Sequence, residues 1–177
     1  MIIMINGAYG VGKSTVANQL KVKLPGAIIY DPEEVGFMIR NLIPEELKCE
    51  NEKTGDFQDF ELWRILVVEV AKNIVGKYKC DLIIPMTLCE KKYFDYIFQG
   101  LRTIDNVTSH FCLMASLETI QMRLELRGDV VNSWPFLQTE RCIKAFSENN
   151  FEEYIECENL ASEEVAEYII ERLGLAQ

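Results

Sequence analysis

Residues Gly7-Ala8-Tyr9-Gly10-Val11-Gly12-Lys13-Ser14 carry the spacing G-x-x-x-x-G-K-[ST] of a nucleotide-phosphate loop. The flanks give this pattern its constraint on the fold. Met1 to Asn6 before it is a short apolar run that reads as a buried strand. Ser14 to Leu24 after it reads as a helix. In that context the glycines let the backbone curl until successive N–H groups point inward at phosphate oxygens. The helix N-terminus adds unpaired donors and the positive end of its dipole. Lys13 is expected to reach the β- and γ-phosphates, and the Ser14 hydroxyl to ligate Mg²⁺, with Thr15 beside it. ATP and Mg²⁺ are the expected cofactors. The alternative is a glycine-rich turn with no ligand, which placement directly after the first strand disfavours.

A chain of 177 residues fits one domain, residues 1–177, around one core. Its formal net charge of −10 argues against nucleic acid as a partner, since affinity for a phosphate backbone needs a basic surface. No apolar run approaches the length of a membrane span. Met1 to Ile5 is too short for a signal peptide and lacks a basic start. The six cysteines are widely spaced with no C-x-x-C, and the chain has one histidine, so no zinc site is expected. Reduced thiols in a cytoplasmic protein are the simplest expectation. His110, in an apolar segment, reads as structural rather than catalytic.

Short apolar runs alternate with longer helical patterns, the signature of a parallel sheet wrapped by helices. Strands are expected at Ile2–Ile5, Ala27–Tyr30, Leu82–Pro85, Ser109–Met114 and Tyr154–Cys157. Helices are expected at Lys13–Leu24, Pro32–Leu42, Gln58–Tyr78, Lys91–Thr103, Leu117–Arg127, Pro135–Glu148 and Glu163–Leu173. Asp31-Pro32-Glu33-Glu34 is a helix start signal: an N-cap, a proline in the first turn and acidic residues behind it. Pro44 to Gly55 reads as an exposed polar loop. Gly128 to Pro135 joins two helices, the place where small kinases carry a mobile lid.

Ligands of open parallel sheets bind beyond the carboxyl ends of the strands. Asp31 ends the second strand and faces that crevice, where a carboxylate can accept the proton of an attacking hydroxyl or hold a metal-bound water. Plain capping is its other reading. Arg64 sits at the edge of an apolar helical stripe and needs an anion or a carboxylate as partner. Trp63 is placed either to stack on a base or to fill the core, and Phe37 either to wall an acceptor pocket or to pack. Arg40 faces the crevice or solvent. Arg123 and Arg127, four apart, share one helix face at the lid and suit a clamp on the transferring phosphoryl group. Arg141 lies across the same loop. The strand Leu82-Ile83-Ile84 ends in Pro85-Met86-Thr87 rather than in a metal-binding acid, which points away from motor-type ATPases. Thr87 suits a substrate hydroxyl or phosphate.

Taken in order, several short motifs carry a more specific likeness. They are Ile5-Asn6-Gly7-Ala8-Tyr9-Gly10 with Gly12-Lys13, and Tyr30-Asp31-Pro32-Glu33 with Gly36-Phe37. Phe57-Gln58, Leu62-Trp63-Arg64 and Pro85-Met86-Thr87 follow. Leu113-Met114-Ala115-Ser116, Asn132-Ser133-Trp134 and Arg141-Cys142 complete the series. On these the chain resembles, over nearly its full length, the tunicamycin-resistance proteins, small ATP-binding proteins related to nucleoside-monophosphate and shikimate kinases. The resemblance implies ATP binding, a kinase-like fold with a lid, and protection against a uridine-containing nucleoside antibiotic. Family members with a longer basic C-terminal segment touch membranes. This chain lacks that segment, so no stable membrane anchor is expected.

The fold expected is a three-layer α/β phosphate-loop fold, a five-stranded parallel sheet in the order 2-3-1-4-5 with helices on both faces and a helical lid. The expected partner is a small nucleoside-like acceptor, bound by a monomer or homodimer. The leading activity is phosphoryl transfer to an acceptor hydroxyl. Drug sequestration without transfer, and a shikimate- or nucleoside-monophosphate-type kinase, are the alternatives.

Overall fold

The computed structural model describes residues 1–131 and 133–175. Five parallel strands form one sheet in the order β2-β3-β1-β4-β5, as expected. Central β1 (Ile2–Gly7) pairs with β3 (Leu82–Pro85) in the register Ile3↔Ile83, and with β4 (Ser109–Met114) in the register Ile5↔Phe111. The edges are β2 (Ile28–Ile29), beside β3, and β5 (Glu153–Glu156), beside β4.

Parallel neighbours cannot be joined by a tight hairpin, so each crossover carries helix. These are α1 (Lys13–Lys23), α2 (Pro32–Leu42) with α3 (Glu61–Tyr78), α4 (Lys91–Ile104), and α5 (Leu117–Arg127) with α6 (Trp134–Glu148). After β5 comes α7 (Ser162–Arg172). Successive strand side chains point to opposite faces, and all six residues of β1 are buried, so both faces are covered. α1 packs with α7, and α3 with α4.

Asn6, fully buried at the end of β1, ties the sheet to the segment after β3. Its amide donates to the Leu88 carbonyl, and its Oδ1 accepts from the Gly7 and Leu88 amides. This fixes the phosphate loop relative to the β3–α4 turn. His110 is buried against Phe94 and Phe98, and burial pushes its pKa down to about 3. It stays neutral, as a structural histidine should.

Several boundaries differ from expectation. α3 begins at Glu61, not Gln58, because Phe57–Asp59 forms a separate 3₁₀ turn. The Asp56 carboxylate caps that turn, accepting from the Gln58 amide at 2.9 Å, while Phe57 and Phe60 are drawn into the core. β2 keeps only two residues, and β5 starts one residue early. The expectation of six reduced thiols is also corrected: Cys89 and Cys142 form a disulfide, 53 residues apart, with no spacing motif to signal it. Cys49, Cys80, Cys112 and Cys157 are free. Among the described residues, no helix is long and apolar enough to cross a membrane.

Candidate active site

The phosphate loop links β1 to α1 at the carboxyl end of the sheet. Gly7, Gly10 and Gly12 all take positive φ, at 142°, 84° and 113°. A Cβ on Gly7 would sit 2.7 Å from the Leu113 carbonyl oxygen, and one on Gly10 2.7 Å from the Leu124 side chain. These two glycines let the loop lie flush against β4 and α5. Gly12 differs, because its Cβ position opens on empty space. There α1 starts with no side-chain cap and no acidic residue in its first turn, which leaves its amide donors for an anion. Gly7→Ala is expected to destabilise the fold by about 2 kcal/mol or more, through the unfavourable φ and the backbone collision. Urea denaturation reads this directly, and an unchanged midpoint would contradict so tight a turn.

Lys13 is partly buried. Its ammonium donates to the Ala8 carbonyl at 2.9 Å and lies 5.5 Å from the centre of the Tyr9 ring. Desolvation pushes its pKa down to about 8, and Glu33 opposes the shift. An ammonium parked on a loop carbonyl and short of solvent is well placed to move onto phosphate oxygens.

A cavity of about 950 Å³ opens over the loop. Its floor is the loop itself, with Tyr9, Gly10, Val11, Gly12, Lys13, Ser14 and Thr15, while Gly7 and Ala8, also expected to bind the nucleotide, do not line it. One wall comes from the start of α2 and the turn at residues 55–57, bringing Asp31, Glu33, Phe37, Arg40 and Asp56. The other comes from α5 and α6, bringing Arg123, Arg127 and Trp134. Trp134 meets the Tyr9 ring edge-on at 4.9 Å and closes that side.

Of the residues singled out from sequence, Asp31, Phe37, Arg40, Arg123 and Arg127 line this cavity. Asp31 also caps α2, accepting from the Glu33 amide at 2.9 Å, which is its capping reading. Arg40 donates to the Gly55 carbonyl at 2.7 Å and lies over the Phe57 ring. Arg123 braces the loop, donating to the Val11 carbonyl at 3.0 Å and the Cys157 carbonyl at 2.9 Å. Arg127 is held by Asp129 through two contacts at 2.5 and 3.0 Å.

Four others do not line it. Trp63 is 1% exposed and its indole donates to the Pro32 carbonyl at 3.0 Å. It supports α2 from behind rather than stacking on a ligand, which corrects its assignment to the substrate. Trp63→Ala is expected to cost about 3–5 kcal/mol of stability as a core truncation. Acceptor affinity lost in Trp63→Phe with the melting point intact would reverse that correction. Arg64 donates to the Gln58 carbonyl at 2.8 Å and covers the Tyr93 ring at 4.3 Å, so its partner is scaffold. Thr87 and Arg141 line a smaller adjoining cavity that shares Tyr9, Asp56 and Trp134 with the large one. Arg141 pairs there with Glu90 at 3.0 Å.

Two carboxylates escaped sequence reasoning. Glu33 was read only as helix-start charge, yet it lines the cavity and is half-buried. Burial raises its pKa, Asp31 raises it further, and Lys13 and Arg127 pull it back. The available signal was an acidic pair two apart at a strand end, with proline between. Asp56, in a polar loop with no periodicity, had no such signal. Burial raises its pKa as well.

No group of three or more His, Cys, Asp or Glu among the described residues is arranged to hold a metal ion. The donor set fits a cation carried in with a nucleotide, for which the Ser14 hydroxyl would supply one protein ligand and phosphates and water the rest.

The sheet order, loop and flanking helix define a P-loop fold of the kinase-like kind. The chain belongs to the AAA domain family, whose profile matches residues 3–156. Among solved structures it is similar to the tunicamycin resistance protein of Deinococcus radiodurans, at 27% identity and TM-score 0.79, covering 99% of this chain and 96% of that one. The likeness to tunicamycin-resistance proteins read from the motifs thus extends to the whole structure. A sugar kinase from Janibacter sp. HTCC2649 matches at 16% identity and TM-score 0.68, covering 99% and 95%. The shikimate kinase of Aquifex aeolicus matches at 20% and 0.56, covering 98% and 96%. These two share the fold. No curated protein sequence is a significant match.

Proposed function

We propose that the protein is an ATP- and Mg²⁺-dependent phosphotransferase acting on a hydroxyl of a small nucleoside-like molecule. The observation that carries this reading is Glu33, a half-buried carboxylate whose strongest cationic influences are Lys13 and Arg127, in a cavity large enough for a nucleotide and an acceptor. Lys13 and the loop amides hold the phosphates. Ser14 holds Mg²⁺, which when bound offsets phosphate charge. Glu33 takes the acceptor's hydroxyl proton while the oxygen bonds to the γ-phosphorus and the β–γ bridging bond breaks, releasing ADP. Asp31 orients the start of α2 and the acceptor. Arg127 turns from Asp129 to the developing charge, and Arg123 keeps α5 fixed on the loop.

Residues 1–177 act as one unit in this reading, and the segment around 128–135 is its lid; Asn132 lies outside the described residues. A monomer and a homodimer are both compatible with this reading. A cytoplasmic location would supply the ATP that this reading requires. The name of the Deinococcus relative makes tunicamycin the first acceptor to test. ADP release in a coupled assay should rise on adding tunicamycin, and ADP release indifferent to every hydroxylated acceptor would overturn the reading.

A second reading has a specific observation behind it. Both lid-side arginines are already engaged, Arg123 by carbonyls and Arg127 by Asp129. If they stay so with ATP bound, the protein sequesters its ligand without transfer.

A further inference from the structure

The head of α6 sits on the cleft, and a covalent bond holds this helix to the root of the phosphate loop. Trp134 and Pro135, at the start of α6, line the main cavity, and Trp134 meets the Tyr9 ring edge-on. Cys142, further along the same helix, is bonded to Cys89 in the turn after β3. That turn is itself fixed. Asn6, the residue before the loop, exchanges buried hydrogen bonds with the Leu88 amide and carbonyl. Tyr9, Trp134, Cys89 and Cys142 border one void of about 20 Å³, room for scarcely one water.

Two ties join α6 to this turn, and they differ in kind. Arg141 pairs with Glu90 at 3.0 Å, but both side chains are about half exposed, where an ion pair contributes little. The Cys89–Cys142 bond beside it is the stronger tie, and it is chemically reversible. In the ATP-supplying compartment that the proposed function requires, thiols are held reduced, and a disulfide that forms there is as a rule transient or redox-sensing. Cys142 is 1% exposed, whereas Cys89 is partly open to solvent, so a reductant meets the bond at Cys89.

We propose that Cys89–Cys142 is a redox-responsive tether on the lid. Oxidised, it holds α6 and Trp134 against the phosphate loop, and a wall held in place binds nucleotide more tightly. Reduced, it frees the head of α6 and loosens that hold. The reductant is a dithiol. One of its thiolates attacks the Cys89 sulfur, and the bond to Cys142 breaks with its electron pair on the Cys142 sulfur, which takes up a proton. The second thiol attacks the mixed disulfide, Cys89 leaves and takes up a proton, and the reductant departs as its own disulfide. Two electrons and two protons pass in all. The two unbonded sulfurs must then stand at van der Waals distance. Close packing around them leaves little slack, so the separation passes into α6. The Arg141–Glu90 pair keeps the thiols near enough to rejoin. Taking the cleft as a nucleotide site rests on the proposed function; the movement of α6 does not.

The test needs no turnover. Alkylation and peptide mapping are expected to find Cys89 linked to Cys142 after equilibration with glutathione disulfide, and both alkylated after dithiothreitol. Movement of α6 is read from tryptophan fluorescence without nucleotide. Trp63 is in the core, so quencher access belongs to Trp134, which is 45% exposed. Reduction is expected to raise acrylamide quenching. Affinity for a non-hydrolysable ATP analogue is expected to fall at least about fivefold on reduction, the lower end of coupling between sites. By linkage, saturating analogue should make the bond harder to reduce by the same factor. Cys89→Ser and Cys142→Ala are each expected to show the reduced chain's quenching and affinity under both conditions. A cooperative melting transition reports that each variant is folded. Cys89 and Cys142 alkylated under both conditions, quenching unchanged by reduction, or equal affinity for an analogue that binds both forms overturns the proposal. An analogue that binds neither form overturns the proposed function, and with it the nucleotide half of the proposal, while quenching still decides the movement of α6.

Discussion

Replacing Lys13 with methionine is expected to cut acceptor-dependent ATP turnover by about 10²–10³-fold or more, the scale seen when a preorganised charge donor is removed from a reacting centre. Its effect on stability should run the other way. The folded pKa of about 8 lies below the ordinary value of 10.5, so between those limits the unfolded chain binds the extra proton. Stability of the nucleotide-free protein should therefore rise as pH climbs through that window. Below pH 8 the site holds a desolvated charge, which Lys13→Met removes. The variant should melt at or above the temperature of the native chain at pH 7 and lose the pH-dependent gain. Nucleotide affinity of the native chain should fall above about pH 8, as the ammonium loses its proton. A variant that melts lower and still turns over ATP with its acceptor would contradict both halves of this assignment.

Glu33→Gln is the second large effect. Removing a general base typically costs about 10²–10⁴-fold in rate. The loss should fall on kcat, with affinity for the ATP analogue preserved or raised, because Glu33 lies on the α2 wall and its negative charge acts on Lys13. A carboxylate acts as base only when ionised, and its raised pKa brings its protonation nearer to neutrality. The native rate should therefore decline toward acid pH, with a limb absent from the residual activity of Glu33→Gln. Asp31→Asn is the control. Asparagine caps a helix about as well as aspartate, so α2 survives and the loss should be smaller than for Glu33→Gln. The reverse ranking would return the base to Asp31, as the sequence first suggested.

The contrast between those two carboxylates shows what the sequence could and could not convey. The loop, strand positions and helix count were legible because they rest on local chemistry: glycine spacing, apolar runs and capping signals. Asp31 was found because it ends a strand. Glu33 and Asp56 were not, because which carboxylate turns inward depends on the entry angle of α2 and on a 3₁₀ turn that interrupts the expected helix. Arg64 was misjudged, and the choice between stacking and core was left open for Trp63, for the same reason. Their helix begins three residues later than its periodicity suggests, and their partners are the Pro32 and Gln58 carbonyls. The Cys89–Cys142 pair joins segments brought together only by the packing of α6 beside the β3–α4 turn. Distant pairings of this kind leave no local trace.

The central claim is that the γ-phosphate leaves ATP for an acceptor hydroxyl. Incubation with tunicamycin and ATP labelled with ¹⁸O on the γ-phosphate, followed by mass spectrometry of the recovered drug, tests it most directly. The expected result is a product heavier by one labelled phosphoryl group, formed together with ADP and absent with Glu33→Gln. Unmodified drug recovered from protein that binds it fully in the presence of ATP would contradict transfer and leave sequestration as the function of the site.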